Sequence, residues 1–450
     1  MKRAQLTEFM RRLDPDSVAI IANGREVTRS NDTKYRYRPN SDFYYLTGLD
    51  EPEAIAVIMP SHNDHKYVLF VRPSDPAKEI WDGPRAGVVG ALKQHGADSA
   101  FPIQEFSVRL RYLLTGASKL YYRLGAGDED LDRLVTSEIG RLRMMGRQGM
   151  YPPQELVDPG SILHEMRLVK SDDEIVMMER SANIASEAHI EAMKATRPGM
   201  KEYEIEALIE YSFRKKGALA PAYGTTVGAG ANATVLHYSR NDAVLQDGDL
   251  LLVDAGAEYS GYASDITRTF PVNGRFSSAQ RRIYDLVLQT QIACIQMVRP
   301  GITVEELYNR SVELLTEGML QIGLLSGDPA TLIREETYKR FYMHGLGHYL
   351  GMDVHDVGVY HTNGESRRLR PGMVLTIEPG LYIKAGAENT AKEYWNIGVR
   401  IEDDILVTEN GSRVLTNAVP KQAEEIEEVM NNNIDLWMES NSSSMPIRSG

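Results

Sequence analysis

DGDLLLVDAGAEY (247–259) and PGMVLTIEPGLYI (371–383) follow one pattern: a glycine, an apolar run of strand character, a carboxylate, a second glycine. Aligning the glycines sets Asp254 on Glu378. RPGMKEYEIEALIEYSF (197–213) and RPGITVEELYNRSVELL (299–315) repeat in the same order, each a helix break, a turn and a new amphipathic helix. Each half adds a second acid on the following strand, Asp265 in ASDITRTF and Glu402 in GVRIEDDIL. Two diverged halves, each with a carboxylate pair, predict a pseudo-twofold domain with its site between them.

The acids raise an electrostatic question. Asp254 and Asp265 flank AGAEYSGYAS. A turn at Glu258–Gly261 would set them face to face across an antiparallel hairpin, where Cβ atoms lie about 5 Å apart and like charges destabilise. Asp254 also ends an apolar strand, so desolvation adds to the cost. A shared proton, a basic partner or a cation would relieve it. Arg268, three residues past Asp265, should face the other side of its strand. In GVRIEDD, Val399 and Ile401 take one face while Arg400 and Glu402 share the other. FYMHGLGHYLGMDVHD (341–356) concentrates His344, His348 and His355, and its glycines favour close backbone approach over a helix. One histidine with four carboxylates is an oxygen-rich donor set. It suits manganese, cobalt or iron better than a structural zinc. The set exceeds what one catalytic ion needs and matches two ions about 3.5–4 Å apart.

The chain has 450 residues, 42% apolar and 25% charged, which is ordinary for a soluble globular protein and points to two domains. A Pro/Gly-rich passage, YPPQELVDPG (151–160), precedes a capping box at Ser171–Glu174 and a long helix to Arg197. The expected division is an α/β domain over 1–170, a catalytic domain over 171–425 and a polar tail over 426–450, mobile at its end. In the first domain, EAIAVIMP (53–60) and KYVLFVRP (66–73) read as paired strands. A net charge of −13 argues against nucleic-acid and anionic-membrane partners. The single cysteine, the charged N-terminus and the lack of a long apolar run point to a cytoplasmic protein.

TVLHYSRND, VDAGAEYSGYASDITRTFPVNGRF, HGLGHYLGMDVHDVG, PGMVLTIEPGLYI and NIGVRIEDD, in this order, resemble the motifs of the pita-bread metallopeptidases, peptidase family M24. NSDFYYLTG (40–48) and EIWDGPRAG (79–87) extend the likeness to its aminopeptidase P (Xaa-Pro aminopeptidase) branch, over roughly residues 1–430. The resemblance implies a creatinase-like mixed-sheet α/β domain followed by a pita-bread α+β domain. It implies Asp254, Asp265, His348, Glu378 and Glu402 as ligands of two divalent ions, manganese first, with cobalt, iron or zinc as alternatives. Asp265 and Glu402 would bridge the ions. A hydroxide shared by them would attack the carbonyl of the first peptide bond in a substrate with proline in second place. Glu378 would carry its proton to the leaving nitrogen. His237 and His355 would hydrogen-bond the substrate, His344 would shape the pocket, and Arg400 would orient Glu402 from behind. Asp42 matches an acid that approaches that arginine. Trp81 matches a tryptophan that reaches a neighbouring subunit's site, which implies a dimer or tetramer. An arginine near the substrate falls on Arg367 or Arg368. An Xaa-Pro dipeptidase shares the ligand set and stays open as the alternative, with a catalytically inactive pita-bread binding protein further off.

Overall fold

The computed structural model describes residues 2–442 and divides into two compact units, Met1–Met166 and Arg167–Gly450. The expected mobile end of the tail, from residue 443, lies outside the described residues. No described helix is long and apolar enough to cross a membrane.

The first unit is built on one six-stranded mixed sheet. Its strands lie in the order 99–102, 67–71, 55–58, 17–22, 119–121, 155–157. The strands read from EAIAVIMP and KYVLFVRP form an antiparallel pair in register Ile55 to Phe70. The outer three pairings are parallel. Near-continuous apolar runs such as Val18–Ile21 are buried on both faces, as central strands covered by helices must be. Phe106, Leu110 and Val135 from the helices close the core.

The second unit opens with the helix Asp172–Ala195. The Glu174 carboxylate accepts both the Ser171 N–H and its hydroxyl, which satisfies the helix start. Helices 202–215 and 304–321 follow the two Arg-Pro-Gly breaks. Between and after them lie two β-hairpins. In the first, Leu250–Asp254 pairs with Thr267–Pro271 and Ala257–Tyr259 with Tyr262–Ala263, all in one register. In the second, Val374–Ile377 pairs with Asp403–Leu406 and Gly380–Ile383 with Ile397–Arg400, again in one register. The hairpins meet along a seam: Glu402 N–H donates to Thr267 O, and the Thr269 hydroxyl donates to Arg400 O. Arg268, fully buried, does face away from the acids. It pairs with Asp403 at 2.7 Å and donates to the carbonyls of Glu402 and Val419. The helix Ala423–Ser442 runs past residue 425, and Ile426 and Met430 join the second unit's core.

The first hairpin turns one residue later than expected. Ser260 (φ 52°) and Gly261 (φ 79°) form a two-residue turn, both in the left-handed region. Asp254 therefore faces Thr267, and Asp265 is its diagonal neighbour on the same face.

Candidate metal centre

The hairpin strands aim their acids into a cavity of about 750 Å3 in the second unit, lined by Asp254, Asp265, His348, Glu378, Arg400 and Glu402 among others. Asp254 accepts from Arg400 Nη2 at 2.6 Å and from the Tyr223 hydroxyl at 2.7 Å. Tyr223 reaches Asp265 as well, so one hydroxyl spans both aspartates. The second hairpin's register sets Glu378 opposite Glu402, between the pairs Ile377–Asp403 and Gly380–Arg400. Glu402 accepts from the Thr267 hydroxyl at 2.7 Å across the seam. Asp265 donates its backbone N–H to the Asp404 carboxylate at 3.1 Å.

His348 enters on an added strand-like segment. Leu346 O accepts from Glu378 N–H, and His348 O accepts from Thr376 N–H. A Cβ on Gly347 would sit 2.0 Å from Thr376 O, so only glycine permits this approach. His348 donates Nδ1–H to Tyr349 O at 3.1 Å. Its Nε2 then points at Asp265 Oδ2, 3.5 Å away, and at Glu378 Oε1, 3.6 Å away.

Burial, with Arg400 pulling the other way and Asp265 adding to it, pushes the Asp254 carboxyl up. Burial also lifts Glu378, to about 7, against the pull of His348 and Arg400. Burial and the charges of Asp265 and Glu378 push Glu402 well above the carboxylate range. Burial opposes charge on His348, but the hydrogen bond and charge of Asp265 and the charge of Glu378 raise it to about 9. These four acids thus crowd one cavity in which Arg400 is the one permanent cation among the described lining residues. The donor set fits divalent cations: ligand atoms of Asp265, His348 and Glu402 lie within 4.8 Å of one another. Ligands at about 2.0–2.2 Å from a common ion lie about 3–3.5 Å apart, which the spacings from His348 Nε2 approach.

The remaining expected residues are placed as follows. His344 lies between Gly345 O and the Tyr382 hydroxyl, and burial lowers it to about 4, so it is neutral. His355 packs edge-on to His348, ring centroids 4.3 Å apart, and burial and the nearby charge of His348 lower it too. His237 lines the same cavity. Arg400 touches Asp254 directly and Glu402 only through Thr267, whose hydroxyl accepts from Arg400 Nε and donates to Glu402. Arg368 is drawn to Gly301 O at 2.7 Å, whereas Arg367 donates its N–H to the carbonyl of Tyr360, a cavity residue. In the first unit, Asp42 lies 3.3 Å from His164, and Trp81 is 86% exposed. Tyr223, Thr267, Asp404 and Asp356 also belong to the cavity or its walls and were not singled out. EDD carries Asp404 and HDVG carries Asp356, so both stood inside quoted motifs. Thr267 also stood inside a quoted motif, ASDITRTF, and Tyr223 alone of the four has no comparable signal in one sequence.

Residues 176–409 match Metallopeptidase family M24, and residues 2–121 match the aminopeptidase P N-terminal domain. The Xaa-Pro aminopeptidase of Escherichia coli (strain K12) is 45% identical over 438 residues, covering 96% of this chain and 99% of that one. The human Xaa-Pro aminopeptidase 3 is 33% identical and covers 92% and 81%. The Pseudomonas aeruginosa aminopeptidase PepP superposes with a TM-score of 0.94 at 48% identity, covering 96% and 98%. With those motifs, that two-unit architecture and those matches, the chain belongs to metallopeptidase family M24.

Proposed function

We propose that this chain is an Xaa-Pro aminopeptidase that uses two divalent ions, manganese first. The observation that carries the metal reading is the convergence of Asp254, Asp265, Glu378, Glu402 and His348 on one cavity that also presents His237, His344 and His355. The proline preference rests on the relatives named Xaa-Pro aminopeptidase. One solved relative is described as Zn-substituted Escherichia coli aminopeptidase P in complex with product, which supports zinc as an alternative ion, and the oxygen-rich donor set keeps cobalt and iron beside it.

Asp254, Asp265, His348, Glu378 and Glu402 would hold the ions. Two dications held there would supply a water acidic enough to attack near neutral pH and would polarise the scissile carbonyl. Glu378 stands opposite Glu402 and beside His348, where it accepts a proton at Oε1 and passes it to the leaving proline nitrogen. Neutral His344 braces the Tyr382 hydroxyl, and His237 and His355 donate hydrogen bonds to the substrate. Arg400 holds Asp254, and through Thr267 it holds Glu402. Arg367 completes the reading as a substrate-side residue. Exposed Trp81 is a contact for a second copy of the chain in a dimer or tetramer. The enzyme would work in the cytoplasm on free peptides.

The test is release of the N-terminal residue from an X-Pro-Y tripeptide with and without Mn2+, repeated with Asp265→Ala. Metal-dependent release in the wild type and none in the variant is the expected result. Turnover of the dipeptide Ala-Pro alone would transfer the assignment to an Xaa-Pro dipeptidase. Failure to bind manganese, cobalt, iron or zinc would make the chain a binding protein.

A further inference from the structure

The cavity wall contains a buried charge that the proposed chemistry does not use. Asp356 follows His355 and lines the cavity, yet its side chain is 1% exposed and already neutralised. Arg167 Nη2 donates to its Oδ1 at 2.6 Å, and Lys170 Nζ to its Oδ2 at 3.0 Å. Arg167 also reaches Asp353 at 2.7 Å, so one guanidinium ties both ends of Asp353–Asp356. Arg167 and Lys170 are themselves buried, and both stand at the very start of the second unit.

A carboxylate so engaged is a poor sixth metal ligand, because both its oxygens are committed to cations. Its position instead bears on the two histidines around it. The Asp356 N–H donates to Tyr349 O at 2.9 Å, the carbonyl that also accepts from His348 Nδ1. That carbonyl decides which imidazole nitrogen faces the acids. The adjacent residue is His355, whose ring packs on His348. The fit is tight: a Cβ on Gly351 would lie 2.1 Å from Asp356 Oδ2 and 2.9 Å from Lys170 Cε. Removing one partner of a buried ion pair leaves an uncompensated charge, so the clamp resists small displacements.

We propose that Asp356, clamped by Arg167 and Lys170, is a positioning residue that aims His348 into the acid cluster and sets His355 beside it. This rests on the metallopeptidase reading above. The experiment compares wild type, Asp356→Asn and the charge-balanced pair Asp356→Asn with Lys170→Met. Each is assayed for Mn2+ affinity by chelator competition, for kcat and KM on an X-Pro-Y tripeptide, and for melting temperature. Asp356→Asn is expected to melt lower and to lose about 10–100-fold in Mn2+ affinity and in kcat, with little change in KM. The double variant should regain melting temperature without regaining Mn2+ affinity or kcat. Recovery of all three together would overturn the proposal and leave a purely structural ion pair. So would an Asp356→Asn enzyme with wild-type Mn2+ affinity and kcat, or failure of both variants to fold. A wild type that neither binds Mn2+ nor cleaves the peptide would instead defeat the functional assignment itself.

Discussion

The two hairpins of the second unit solve one problem with different side chains. The first carries short acids, with Asp254 facing Thr267 and Asp265 on the diagonal. The second carries long ones, with Glu378 opposite Glu402. Along the seam, Asp265 meets Asp404 and Thr267 meets Glu402. Asp265 and Glu402 are therefore each held by a supporting group on the other hairpin, as Asp254 is by Arg400. Asp265 hands its N–H to a carboxylate, and Glu402 takes a proton donor from a hydroxyl. The lesson is that the halves are not two separate pairs of acids. They form one interlocked set, in which the shorter reach of an aspartate is offset by a different position on its strand.

If the set is interlocked, Asp265 and Glu402, one acid from each hairpin, should be equivalent. Asp265→Ala and Glu402→Ala are each expected to lower kcat/KM by about 1,000-fold or more, because groups acting as a unit fail as a unit. Both should also lose metal by elemental analysis. Full metal content with full activity in either variant would break the equivalence.

Metal removal should cost both hairpins together. Four carboxylates facing Arg400 gain stability from cations that bind only the folded chain. Ions present at 1,000 times their dissociation constant add about 4 kcal/mol per site. Calorimetry with and without a chelator should show melting about 10 °C lower in the stripped protein. An unchanged melting temperature on stripping would mean that the folded acids hold no ion.

The seam itself can be probed more gently. Thr267→Val keeps the shape and removes the hydroxyl between Arg400 and Glu402. A weakening of metal affinity by about 10-fold is expected. Asp404→Asn keeps an oxygen for the Asp265 N–H and should weaken metal affinity less than Thr267→Val does. The opposite ranking would show that charge, not hydrogen bonding, holds the first hairpin's ligand.

These contacts also show what a single sequence reveals. The repeat, the four acids and the histidine segment were legible because each lies within one strand or turn. Asp254 and Asp265 were placed on one face but one step out of register, since the turn centres on Ser260-Gly261 rather than one residue earlier. That signal was present, because two residues at positive φ are what a tight hairpin requires. Arg268 was correctly turned away, but its partner Asp403 was out of reach. The support of Asp265 by Asp404 depends on how two hairpins far apart in the chain slide against each other. No local periodicity encodes that offset. Alternation put Arg400 on the face of Glu402, and the resemblance gave it the role of orienting that acid; its long side chain also crosses the seam to Asp254, and it reaches Glu402 through the Thr267 hydroxyl.

The smallest predicted effect separates the halves by pH. His189 and Gln291 each stand eight residues before the arginine of their Arg-Pro-Gly break. Both sit behind a hairpin. His189 Nε2–H donates to Ala255 O, beside Asp254, and Gln291 donates to Asp403 at 2.9 Å and reaches Ile377 O, beside Glu378. Only the histidine titrates. Burial lowers it to about 4, partly offset by its bond to Ala255. The unfolded chain takes up this proton near pH 6.5, so the folded state is favoured above that pH. The contribution fades as pH falls from about 6.5 towards 4, by about 1 kcal/mol at pH 5.5. His189→Gln copies the second half into the first and retains a donor for Ala255 O. Its melting temperature should fall less than that of the wild type between pH 7 and 5, in the metal-free protein where the acids are equally bare. Parallel pH profiles for the two proteins would show that the acid sensitivity of the first hairpin arises elsewhere.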